Sequence, residues 1–275
     1  MNRKNKLQIV VVSSTLMCLM LLGYTSEGVY LCGRQSHSAE PEMIFVQGGT
    51  FWMGCSSEQE NDCESNESPL HSVEVSSYSI SKCPITQKQW QIIMGTTVGQ
   101  LRDKANKNWS IVGEGDNYPI YYVSWEEAQE FIHRLNRATG KLYRFPTEAE
   151  WEFAARGGNN GQGFKYSGSN NLDNVAWYEN NSEYCTHPIG IKQPNELGIY
   201  DMSGNVWEWC NDWYGAYPSL AQYNPIGASS GTNRVFRGGG WGDKIEDCRV
   251  SYRNNCLPSS RYSFLGFRVA LSTDE

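Results

Sequence analysis

The sequence has no surplus of positive charge. Across 275 residues, 23 Lys and Arg face 30 Asp and Glu, a formal net charge of −7. Phosphate binding needs a basic face, so nucleic acid is excluded as the expected partner. Long apolar runs are also scarce, and a mean hydropathy of −0.55 excludes a multi-span membrane protein. No Cys-x-x-Cys pair occurs among the 9 Cys, which argues against a structural zinc knuckle. His37, His71, His133 and His187 are scattered, and each reads as a surface or core residue. There is no internal repeat with a period of about 20–50 residues, no charge run, and no long amphipathic period after Gly158. A helical bundle is therefore excluded. What the chain does have is 27 Gly, 10 Trp and 16 Tyr, the composition of a loop-rich fold held by buried rings.

Arg3, Lys4 and Lys6 precede an almost wholly apolar run, Leu7–Leu22. A basic start before a short apolar run is the pattern of an export signal, or of an uncleaved anchor, and the run is short for a membrane span. Residues 1–25 are read as that signal or anchor, 26–42 as a linker and 43–275 as the folded domain. Cys18 and Cys32 are the positions a lipid anchor would use. The expected location is the periplasm or cell surface, with membrane contact only through the N-terminal segment. Export permits disulfides. The body contains Cys55, Cys63, Cys83, Cys185, Cys210, Cys248 and Cys256, an odd set that leaves at least one thiol free or paired with another molecule.

Three capping boxes predict helices: Thr86-x-x-Gln89, Ser124-x-x-Glu127 and Thr147-x-x-Glu150. After the second, Ala128, Phe131, Ile132 and Leu135 fall at helical spacing, and Gly140 closes the helix. Strands are expected at Met43–Val46, Phe51–Met53, His71–Ile80, Val206–Trp209, Arg234–Arg237 and Gly266–Leu271. The reading is one α+β domain with little regular secondary structure.

A series of motifs runs through the chain in order: Gly48–Gly54, Pro84-Ile85-Thr86, Val123-Ser124-Trp125, Arg144–Glu152, Asn195–Trp209, Arg237-Gly238-Gly239 and Gly266-Phe267-Arg268. Together they resemble the formylglycine-generating enzyme, or sulfatase-modifying factor, family over about residues 43–272. The resemblance implies the family's variant of the C-type lectin fold. In the family's oxidases, two cysteines five residues apart bind copper and oxidise a substrate cysteine. Here those positions hold Asp243 and Cys248, and Gly240 stands where the family has Ser. Cu(I) prefers paired thiolates, so copper is not expected. Cys248 would be catalytic only if the chain were an oxidase, and a Cys210–Cys248 disulfide would remove that thiol.

The resemblance also implies a Ca2+ site, with carboxylates from Asp201 and Glu208 and carbonyls from Gly204 and Val206; oxygen ligands from a tight loop suit a hard cation. Against this stands a plainer reading in which Asp201 caps a turn and Glu208 pairs with an Arg. The family's other calcium site maps onto Asn174, Val175, Asn181 and Glu183, with Asn181 in place of a carboxylate.

Residues 242–265 are rich in Tyr, Asn and Ser, punctuated by Arg253, Pro258 and Arg261. The window is similar to the C-terminal variable region of retroelement-diversified proteins of this fold, although Lys244 and Glu246 do not fit that scheme. Rigid rings with small polar residues are also what binding loops use. The expected ligand surface is Trp241, Tyr252, Asn254, Asn255, Tyr262 and Phe264, facing a protein or glycan, while Arg253, Arg261 and Arg268 hold the loops through carbonyls and carboxylates. Three functions stay open: an exported ligand-binding protein without oxidase activity, a formylglycine-generating oxidase, and a structural envelope component.

Overall fold

A computed structural model describes residues 39–59 and 62–272. The expected signal or anchor, Cys18 and Cys32 lie outside the described residues.

The helices begin where the hydroxyls stand. Thr86, Ser124 and Thr147 cap α1 (Gln87–Met94), α3 (Trp125–Thr139) and α4 (Glu148–Ala155), each with a reciprocal capping box. Thr97 and Gln100 form a further box at α2 (Val98–Asn106). A short α5 (Leu172–Val175) is the last α-helix among the described residues.

Among the described residues, eleven short strands form three sheets. The first joins the two ends of the described chain, in the order β1 (Met43–Val46), β4 (Tyr78–Ser81), β11 (Ala270–Ser272), β5 (Tyr143–Arg144). The second runs β10 (Leu265–Phe267), β6 (Trp207–Trp213), β8 (Arg234–Arg237), β9 (Arg253–Cys256), with β10 parallel to β6 and the other pairs antiparallel. The third runs β2 (Gly49–Met53), β3 (His71–Val75), β7 (Gln222–Tyr223).

Two of the expected strands are each two strands in different sheets. His71–Ile80 divides between β3 and β4, because Ser76 and Ser77 are drawn off the ladder: Ser76 N–H donates to Asn224 Oδ1, and Ser77 Oγ accepts from Gly48 N–H. Gly266–Leu271 divides between β10 and β11 at Arg268, whose side chain turns inward to Glu208.

One core cluster packs α1 and α3 against β6 and β10, with Trp90 stacked on Phe131 at 5.6 Å and Phe267 edge-on to Phe131 at 5.4 Å. A second packs Trp151 and Phe153 of α4 against Val46, Val73 and Ile80. With so little regular structure, many loop carbonyls need donors, and buried arginines supply them. Arg237 pairs with Glu148 and Glu152 and reaches the carbonyls of Val250 and Ser251. Arg253 grips Glu148 and the carbonyls of Asn66 and Gly215. Arg249 grips Glu67. As expected of the loop-holding arginines, Arg268 joins Glu208 to the carbonyls of Ser81 and Tyr200, and Arg261 joins Glu127 to the carbonyl of Ser259.

Among the described residues, the Cys210–Cys248 disulfide that the sequence left open does not form. Cys55 pairs with Cys63, whereas Cys210 and Cys248 are free and buried. Cys210 sits in the α4 cluster, and Cys248 sits in a separate cluster with Tyr166, Leu172, Val175, Ala176 and Tyr178.

Candidate ligand-binding site

The start of β6 presents Trp207, and the loop after β8 crosses it. Trp207 Nε1 donates to Asp243 Oδ2 at 2.6 Å, and Gly240 N–H donates to the same oxygen at 2.9 Å. A Cβ on Gly240 would lie 3.1 Å from Asp243 Oδ2 and 3.2 Å from both Phe264 Cβ and Trp207 Cδ1. A side chain at 240 would therefore be tight against the Asp243 carboxylate, Phe264 and Trp207 together. Burial, with Asp247 nearby, pushes the Asp243 carboxyl up to about 6.

Cys248 does not complete a reactive pair. It is fully buried, and burial first, then the charges of Asp243 and Asp247, push its thiol well above the ordinary range. The nucleophilic, metal-binding form of cysteine is the thiolate, which this environment disfavours.

Phe264 carries the site outward. It stacks on Tyr262 at 5.0 Å with 5° between the rings, and Trp241 Nε1 donates to the carbonyl of Ser263 between them. Opposite lie Trp109 and Tyr122, stacked at 5.8 Å. The four rings, with Ser110, Val112 and Ser263, line a cleft of about 280 Å³. Tyr122 sits at φ 60°, a conformation that costs a non-glycine residue about 1–3 kcal/mol. Its neighbours fix it there: its N–H donates to Tyr262 O, and its hydroxyl donates to Ser110 O.

The expected ligand residues are all half-buried, and they divide. Trp241, Tyr262 and Phe264 belong to the cleft region. Tyr252 packs on Trp207 at 5.9 Å under the Arg249 guanidinium. Asn254 and Asn255 lie on β9, where Asn255 Oδ1 accepts from Asn233. Sequence reasoning missed Trp109 and Tyr122. The available signal was a Trp alone in the polar run Lys107-Asn108-Trp109-Ser110, where it is 41% exposed.

The proposed calcium residues do not present a free ligand set. Both oxygens of Glu208 are engaged, Oε1 by Arg268 and Oε2 by Arg268 and Trp151 Nε1. Asp201 accepts from Gly190 N–H and Asn205 Nδ2, and burial pushes its carboxyl up to about 6. Gly204 and Val206 are buried in the intervening turn. The salt-bridge reading of Glu208 fits this donor set, and the calcium reading does not. At the other mapped site, Asn181 bonds to Asp173, the Ala176 carbonyl and Tyr178 N–H, next to Asn174 and the buried Val175, while Glu183 is exposed.

The sulfatase-modifying factor enzyme 1-like domain matches residues 30–273. The chain belongs to the formylglycine-generating enzyme, or sulfatase-modifying factor, family. Within it, the chain is 29% identical to the chaperone protein LppX of Paenibacillus barcinonensis, over 85% of this chain and 91% of that protein. It is 31% identical to the serine/threonine-protein kinase Pkn1 of Chlamydia trachomatis, over 83% of this chain but only 38% of the kinase's length. Among solved structures, Treponema denticola variable protein 1 superposes with a TM-score of 0.71 at 30% identity, covering 84% of this chain and 95% of that one. The sulfatase-modifying factor family thus includes proteins of several named activities, and its fold here is the C-type lectin variant.

Proposed function

We propose that this member of the family is an exported or surface-anchored protein that binds a protein or glycan ligand at its C-terminal surface, without oxidase activity. The observation that carries the reading is the pairing of Asp243 with Trp207 and Gly240 where an oxidase would hold a thiol. One buried thiol beside a carboxylate is a poor seat for Cu(I). The cleft offers the ligand the partly exposed rings of Trp109, Tyr262 and Phe264, backed by the buried Tyr122; such rings dominate binding energy where they become desolvated. The likeness to a solved variable protein supports the same reading.

The test is capture on a glycan array and on a displayed peptide library. Trp109→Ala and Phe264→Ser should each remove capture of whichever class binds while the protein stays folded by circular dichroism. Capture that survives both substitutions would move the ligand away from this cleft. Absence of capture on both arrays would favour the structural envelope reading.

A further inference from the structure

A smaller cavity of about 250 Å³ is bounded by β3, the start of α4, the end of β6 and residues 215–228. Its walls are mainly apolar: Met53, Ala149, Trp213, Tyr217, Pro218 and Ala228. His71 adds a ring packed on Tyr217 at 4.8 Å, and its Nδ1 lies 3.0 Å from the Pro69 carbonyl.

Asp212 stands out in this wall. It is only 3% exposed, and its Oδ2 accepts from Glu148 N–H at 2.9 Å. Among the described residues, neither a hydrogen bond nor a salt bridge engages its Oδ1. Gly227 borders the carboxyl: a Cβ there would lie 2.6 Å from Asp212 Cβ and 2.9 Å from Oδ1, and both residues line the cavity. The other charges in the wall are already matched. Glu148 is held by Arg253 and Arg237, and every terminal nitrogen of Arg253 is engaged by Glu148 or by the carbonyls of Asn66 and Gly215. A buried carboxyl with an unused oxygen is costly unless something pairs with it, and burial, with Glu148 beside it, pushes this one up to about 8.

We propose that this cavity binds a primary ammonium group, with Asp212 Oδ1 as its acceptor, the carboxyl giving up its proton as the cation pairs with it, and the Met53, Tyr217 and Pro218 walls around its alkyl stem. An ammonium supplies the positive charge and the donor that Asp212 lacks. The volume is below the usual range for drug-sized ligands, roughly 300–1,000 Å³, and suits a small amine or a single lysine side chain. The site is separate from the aromatic cleft and stands or falls independently of it.

The experiment is isothermal titration of the full chain with n-butylammonium, Nα-acetyl-lysine N-methylamide and, as the neutral control, 1-butanol. At least one amine should bind saturably and 1-butanol should not. Asp212→Asn keeps the acceptor for Glu148 N–H and should weaken amine binding about tenfold or more, the loss expected for a charge-assisted hydrogen bond. Ala228→Leu, at an exposed rim position, should also weaken binding without changing the melting temperature, which keeps the test decisive should Asp212→Asn fail to fold. Binding of butylammonium alone would assign the site to a free amine, and binding of the lysine derivative would assign it to a peptide side chain; either supports the site. Failure of both amines to bind, equal binding of 1-butanol, or undiminished binding by both variants would overturn it.

Discussion

Replacing Arg268 with Ala tests how this loop-rich fold is held. The guanidinium is fully buried and makes two contacts to Glu208 and one each to the carbonyls of Ser81 and Tyr200. Truncation leaves Glu208 as an unpaired buried charge, with Trp151 Nε1 its one remaining side-chain donor among the described residues. Removing one partner of such a pair costs about 3–5 kcal/mol. At ~2–4 °C per kcal/mol for a domain of this size, the melting temperature should fall by roughly 6–20 °C. Glu208→Gln in the Arg268→Ala background removes the stranded charge, so the double variant should be more stable than the single one by about 1 kcal/mol or more. Urea denaturation and scanning calorimetry measure both. A loss under about 1 kcal/mol for Arg268→Ala would refute the reasoning. So would a wild-type melting temperature that rises with Ca2+ and loses that rise in Asp201→Ala, because Glu208 would then be serving a metal.

Two further predictions follow from buried groups. The Asp243 carboxyl sits at about 6 against an ordinary 3.8, so the native state holds the extra proton between those values. Its stabilising contribution is therefore complete below about pH 4 and lost as pH rises through 6. Asp243→Asn should make the change in stability between about pH 4.5 and 7 differ from wild type by about 2 kcal/mol, the wild type losing more, and denaturation curves identical in shape across that range would contradict this. The second concerns thiols: under native conditions iodoacetamide should label the half-buried Cys83, Cys185 and Cys256 well before the buried Cys210 and Cys248, as read by peptide mass spectrometry. Early labelling of Cys248 would mean that its pocket opens.

The parts of the fold legible in the sequence were those written in local chemistry. Thr86, Ser124 and Thr147 announced three helices through hydroxyl and Gln or Glu pairs that act within one turn. The same signal at Thr97 and Gln100 passed unnoticed, because Gly99 and a weak apolar stripe (only Val98 and Leu101 are buried) hid the helix behind it. Sheet membership was not legible. A period of two gives β3 and β4 the same face pattern, and only long-range bonds such as Asn224 to Ser76 N–H decide where the chain leaves one sheet for another. At the site, the motif order located Asp243, Cys248 and the C-terminal rings, but Glu208 could be read as a metal ligand until its partner Arg268, 60 residues away, was placed against it. Trp109 and Tyr122 come from a segment more than a hundred residues upstream of Phe264, and sequence spacing carries no trace of that meeting.

The most direct test of the central claim is intact-mass spectrometry of a cysteine-containing sulfatase peptide incubated with the purified protein, copper and oxygen. With Asp243 where a second thiol would be and Cys248 buried as a neutral thiol, the account predicts a peptide of unchanged mass. Catalytic conversion of the cysteine to formylglycine, with the peptide losing its sulfur and gaining an aldehyde over many turnovers, would contradict it.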